Sequence, residues 1–114
     1  MAGACCCFCE GGANAYVWAT ADDNPLGEYT LQDDVGVIPW NATQQKYLTG
    51  AQQFSVAQLH TAQGVLPVYI GQRFGSADDG LKCHDYQMWA PLQVNPQGVV
   101  GQMQWVNEFT VELV

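Results

Sequence analysis

The strongest constraint on the fold lies near the C-terminal end, where apolar residues recur at every second position. Tyr86, Met88, Ala90, Leu92 and Val94 share one parity. Further on, Met103, Trp105, Phe109, Val111 and Leu113 share one parity, and Gln102, Gln104, Glu108, Thr110 and Glu112 take the other. Successive side chains of a strand point to opposite faces, so period two over such lengths predicts strands with one buried face. Between the runs stands "NPQG", with Pro96 preset for the second turn position and Gly98 closing it. The expectation is a long C-terminal β-hairpin whose apolar face, Trp105 included, packs on the other strands. Asn107 interrupts that face and reads as a bulge or a buried amide. Trp89 is out of phase with Met88 and is expected to point outward, where an exposed tryptophan suits contact with a partner.

The rest of the chain also reads as short strands between turns. "AYVWAT" at 15–20 is aromatic and β-branched and is followed by the turn-rich "ADDNPLG". "EYTLQ" and "VGVIPW" are two further pieces, and Pro39 places the second on an edge or at a strand end. Residues 42–63 are ambiguous between helix and strand, with "QFSVAQLHT" leaning to strand. "GVLPVYIGQRF" reads as a mostly buried strand with an irregularity at Pro67, and "GSADDG" as a turn. No repeat and no convincing helix emerge. The chain is expected to be all-β, a single-domain β-sandwich or small barrel over 15–114, preceded by a Cys- and Gly-rich arm over 1–14.

Charge narrows the partners. Lys46, Arg73 and Lys82 face eleven acidic residues, a net charge of −8. Nucleic acid and anionic membranes need clustered Lys and Arg, so neither is an expected partner. Charged residues are only 12% of the chain, about half the usual share, and glutamine, asparagine and threonine supply the polar surface. Such a surface suits a protein largely covered by neighbours. No run of 18 apolar residues occurs, and the first residues lack the basic and apolar regions of a secretory leader, so none is expected.

Cys5, Cys6, Cys7 and Cys9 crowd the N-terminal tip, and Cys83 follows far downstream. Cys6 and Cys9 form a Cys-x-x-Cys, and Cys83 with His84 could complete a Cys3His zinc set, or the thiolates an iron–sulfur site. Five is an odd number, which favours a free thiol or a bridge between chains. A staple from the tip to Cys83 or to a neighbouring subunit would add about 2–4 kcal/mol. In "KCHDY" the residues Cys83, His84 and Asp85 are of the types a thiol hydrolase uses, but on a strand adjacent side chains diverge. No phosphate loop, nucleophile elbow or HExxH is found, so no enzymatic activity and no cofactor are expected. The pairs Asp22-Asp23, Asp33-Asp34 and Asp78-Asp79 read as turn formers.

The run "LQVNPQGVVGQMQWVNEFTVELV", the long terminal strand and the scarcity of Lys and Arg resemble small structural proteins of tailed-phage virions, such as capsid decoration and head–neck or tail components. The resemblance implies a non-enzymatic, β-rich subunit, repeated on a symmetric lattice in the virion after assembly in the host cytoplasm. Its partners would be itself and other structural subunits, bound through strand edges, loops and arms. The cysteine-dense tip departs from that pattern and would have to dock onto or cross-link a neighbour. Two other classes stand beside this one: a small metal- or redox-binding protein centred on Cys6, Cys9, Cys83 and His84, and a carbohydrate-binding β-sandwich using exposed Trp and Asp side chains.

Overall fold

The computed structural model describes residues 2–3, 15–21, 24–41, 44–47 and 51–114. Among them the chain is all-β, with eight strands: β1 (Ala2–Gly3), β2 (Ala15–Thr20), β3 (Tyr29–Asp34), β4 (Val37–Asn41), β5 (Gln44–Tyr47), β6 (Gln52–Thr61), β7 (Gly64–Gln72) and β8 (Gln87–Pro91). They form antiparallel sheets in the orders β1-β2-β3, β4-β5 and β6-β7-β8. Among the described residues the helical content is one 3-10 turn, Lys82–His84.

Residues 52–61, ambiguous in sequence, are strand. Their partner is the apolar run 64–72, and the two are joined by a tight turn in which Gly64 takes φ +118°. Thr61 stabilises the turn twice: its hydroxyl donates to the Gly64 carbonyl and accepts from the Gln63 N–H. A Cβ-free residue is required at Gly64 because that φ is costly for any L side chain.

Both prolines of this sheet sit where the missing N–H costs little. Pro67 accepts a bond from Leu92 N–H, so its backbone faces β8 just beyond the last β7–β8 pair, Val68 with Pro91. One step along an antiparallel ladder reverses the facing, so the nitrogen of Pro91 points to the far edge of β8. Pro39 lies in a two-stranded sheet, where every strand is an edge.

The core draws on strands of both three-stranded sheets. Ala15 and Val17 of β2, Tyr69 of β7, and Met88 and Ala90 of β8 form one buried cluster with Val35, Ala51, Leu92 and Met103. Alternation places Met88 and Ala90 inward and leaves Gln87 and Trp89 exposed. The cluster meets at Val35, in the turn after β3. Val35 N–H donates to the Ala15 carbonyl, and the Val35 carbonyl accepts from Met103 N–H. Asp34 completes the junction by accepting from the N–H groups of Ala15 and Gly36 through one carboxylate oxygen.

The expected long C-terminal hairpin is not formed. The turn at "NPQG" is present: Gly98 N–H donates to the Asn95 carbonyl, Asn95 Oδ1 accepts from Gln97 and Val99, and Gly98 has φ +78°. The ladder behind it consists of one bridge, Val94 with Val100. From Gly101 onward the chain is irregular apart from a second bridge, Thr61 with Leu113. The reason is competition for Met103. Its amide bonds to Val35 and its side chain enters the core, which draws the chain away from β8. Met103 is buried as the alternation predicts, but Trp105 is 50% exposed rather than in the core. Its indole N–H donates to Asn107 Oδ1, so Asn107 is an exposed acceptor and not a buried amide.

Gly71 marks the tightest point of the core. A Cβ built there would lie 2.8 Å from Tyr69 Cε1 and 2.9 Å from the Ala51 Cβ. Gly71→Ala is therefore expected to destabilise the fold by about 1–3 kcal/mol, the usual cost of overpacking. Urea unfolding of wild type and variant checks this, and equal midpoints would contradict it.

Candidate functional site

The residues singled out by sequence fall on three surfaces. The first is the loop 73–86 that joins β7 to β8. Its ends are tied by Arg73 N–H to the Tyr86 carbonyl, one rung beyond the strands. Asp85 organises the interior, its two carboxylate oxygens accepting from Gly75 N–H (2.9 Å) and Ala77 N–H (3.0 Å). Asp79 does the same across the 3-10 turn, accepting from Leu81 N–H and, at 2.6 Å, from His84 Nδ1. Gly75 and Gly80 supply the positive φ angles that let the chain reverse. Backbone hydrogen bonds favour the charged form of both acids. The Leu81 amide and then His84 hold the Asp79 carboxyl below its ordinary value, and the Gly75 and Ala77 amides do so for Asp85. Asp79 and Asp85 are thus turn-building acids.

Cys83 and His84 lie on the 3-10 turn and not on a strand, so the strand argument for their divergence does not apply. They are separated all the same: His84 turns to Asp79, and Cys83 is an exposed free thiol. Asp85 spends its carboxylate on loop amides rather than on His84. No thiol–imidazole–carboxylate relay exists among the described residues. Nor do three His, Cys, Asp or Glu side chains gather there in a way that could hold a metal ion. Cys5, Cys6, Cys7 and Cys9 lie outside the described residues, as do Asp22 and Asp23. Asp33 and Asp34 join the tail to the β3 turn, where the Gln102 amide donates to the Asp33 carboxylate and to the Asp34 carbonyl.

The second surface is β8. Trp89 is 47% exposed on the side away from the core, its indole N–H donating to Gln87 Oε1. It stands across from Ile70. No described strand pairs with the far side of β8. The alternation that turns Met88 and Ala90 backbone groups toward β7 turns those of Gln87 and Trp89 toward this open edge. The edge thus offers two N–H and C=O pairs beside a large aromatic ring.

The third surface was not legible in the sequence. Trp18, Thr20, Pro25 and Tyr29 of the β2–β3 hairpin, with Gln32 and the Gln97 side of the "NPQG" turn, line an open groove of about 730 Å³. It needs a turn and a hairpin more than sixty residues apart to meet, and no local pattern announces that.

The two described cations with placed side chains do not form a basic patch. The Arg73 guanidinium lies 5.7 Å from the Trp105 ring centroid, and Lys82 Nζ lies 5.3 Å from that of Phe74. Each cation faces a ring whose negative face attracts it, so the few positive charges are held locally. Among the described residues no helix is long and apolar enough to cross a membrane.

No family model, curated protein or solved structure matches this chain.

The carboxylate-built loop yields a pH prediction. An acid whose folded pKa lies below its unfolded value of about 3.9 stabilises the folded state above that value, and the effect is lost as pH falls through the folded pKa. Amide exchange protection at Gly75 and Ala77, corrected for intrinsic rates, should hold from neutral pH to about 5 and drop below about 4. Asp85→Asn should lower it at neutral pH and flatten the dependence. Unchanged wild-type protection at acid pH would contradict this role.

Proposed function

We propose that this protein is a non-enzymatic structural subunit that assembles with copies of itself and with other structural proteins, as a capsid decoration or head–tail component of a tailed-phage virion. One observation carries the assembly reading. Among the described residues the core contains ten buried apolar side chains, three of them alanines, whereas sixteen large apolar side chains are exposed. Burial of apolar area drives folding and association alike, at about 25 cal/mol per Å². Exposed apolar area on that scale is the mark of a surface that partners cover. The low share of charged residues and the −8 balance point the same way, since contacts must then form through uncharged patches.

The β8 edge supplies the best such patch. Trp89 is a large ring beside unpaired backbone groups, and a strand from a neighbour would satisfy them while burying the ring. Pro91 ends the edge and keeps the pairing short. The paired Ala2–Gly3 segment on β2 supports an N-terminal arm that adds to sheet edges. The exposure of the free Cys83 thiol supports a cross-link to a neighbour's Cys5, Cys6, Cys7 or Cys9. We read the two three-stranded sheets as the halves of a small β-sandwich, supported by the core they share. No cofactor enters this reading. The virion setting rests on the resemblance of the C-terminal run and on the charge balance.

Native mass spectrometry without reductant tests the reading. The wild-type chain should form oligomers, Trp89→Glu should weaken association by about tenfold or more, and replacing the four tip cysteines by serine should lower the oligomer fraction further. A monomer carrying one zinc or an iron–sulfur cluster would overturn the proposal in favour of a site at Cys6, Cys9, Cys83 and His84.

A further inference from the structure

We infer that the outer face of the β1-β2-β3 sheet carries a binding site for a neutral saccharide, built on Trp18 and Tyr29 and completed by the amides of Gln32 and Gln97. This site lies apart from the Trp89 surface and does not depend on the assembly reading. Its position follows from the strand period. Ala15 and Val17 are spent on the core, so Trp18 and Thr20 face outward, across from Leu31 and Tyr29. The two aromatic rings are 44% and 49% exposed, and both line the groove of about 730 Å³.

Three local features prepare the groove. The Tyr29 hydroxyl donates to the Pro25 carbonyl at 2.9 Å, which fixes the ring rather than leaving it to swing. The β2–β3 register steps from Val17 with Asp33 to Trp18 with Leu31, so Gln32 is the extra residue of a bulge. Bulges re-aim a side chain, and this one sets an amide beside the rings. Gln97 is presented by a turn that Asn95 holds through bonds to the Gln97 and Val99 amides and the Gly98 N–H.

The chemistry selects the ligand class. Among the described residues the lining is uncharged, and its polar side chains are carboxamides and hydroxyls. A groove open to water buries too little of a small apolar molecule to hold it. A pyranose fits both kinds of lining. Its axial C–H groups present an apolar face that stacks on an aromatic ring, and each hydroxyl both donates and accepts. A carboxamide also donates and accepts, so Gln32 and Gln97 match vicinal hydroxyls without a charge. Thr20 adds a third polar residue to the lining.

The test titrates the full-length protein with cellohexaose, maltohexaose and N-acetylchitohexaose, following the Trp18 indole and the Gln32 and Gln97 side-chain amides by NMR. At least one hexasaccharide should shift these signals in a saturable way. Trp18→Ala should weaken that binding about tenfold, the scale of one lost aromatic contact. Gln97→Ala, made at an exposed turn residue and checked for a wild-type circular dichroism spectrum, should weaken it severalfold, and Trp89→Ala should leave it unchanged. Absence of any saturable shift with all three sugars would overturn the inference. So would equal losses in Trp18→Ala and Trp89→Ala, or loss of self-association in Trp18→Ala without any sugar response, which would make the groove a protein contact.

Discussion

The structure depends on Val35. Its N–H and carbonyl bind Ala15 and Met103, two residues separated by most of the chain, and its own side chain is 1% exposed between them. Asp34 adds the Ala15 and Gly36 amides to the same junction. A backbone group left unpaired in such a place would cost about 1–3 kcal/mol, so these bonds fix geometry more than they add net stability. The geometry is what matters. It holds the start of β2 against the segment that follows the "NPQG" turn, within the same buried cluster as Met88 and Ala90. Gly36 is part of the arrangement, since a Cβ there would lie 3.0 Å from both the Cβ and the nitrogen of Ala15.

The core built around this junction is thin. Tyr69 and Val35 are its largest fully buried side chains, and Tyr69 lies over Gly71 because no Cβ stands in the way. A chain of this size has little surplus stability to lose. The consequence is functional. Apolar side chains that a larger core would have absorbed stand on the surface, at β8, on the outer face of β2–β3 and along the tail. Trp105 shows how these are made tolerable, with Arg73 over its ring and Asn107 on its indole nitrogen. The Trp89 indole bonds to its neighbour Gln87 on an exposed face, and Trp18 faces an open groove. The difference in local cover separates a ring flanked by its own chain from rings that stand more open.

Much of the architecture was determined by the sequence alone. Period two, β-branched and aromatic runs and Gly/Pro/Asn/Asp turns were enough for the all-β class, for β2 and β7, and for the turn at Asn95–Gly98, because each rests on local sterics and on the two-residue repeat of a strand, whereas β6, ambiguous between helix and strand in sequence, was decided by its pairing with β7. The aspartate pair at 78–79 was legible as turn residues for the same reason, whereas Asp33 and Asp34 end strand β3, and the turn follows them at Val35–Gly36. Tertiary structure decided the rest. It broke the C-terminal hairpin, since Met103 finds a better backbone partner at Val35, and it put Trp105 outside, since a period says which residues share a face but not whether anything covers it. It set Cys83 and His84 on a 3-10 turn and gave His84 to Asp79, a contact fixed by how the loop closes. It created the Trp18–Gln97 groove from segments far apart in the chain. Alternation is a property of neighbours in sequence, whereas a ligand site and a buried hydrogen bond are properties of neighbours in space, and only the folded chain brings those together.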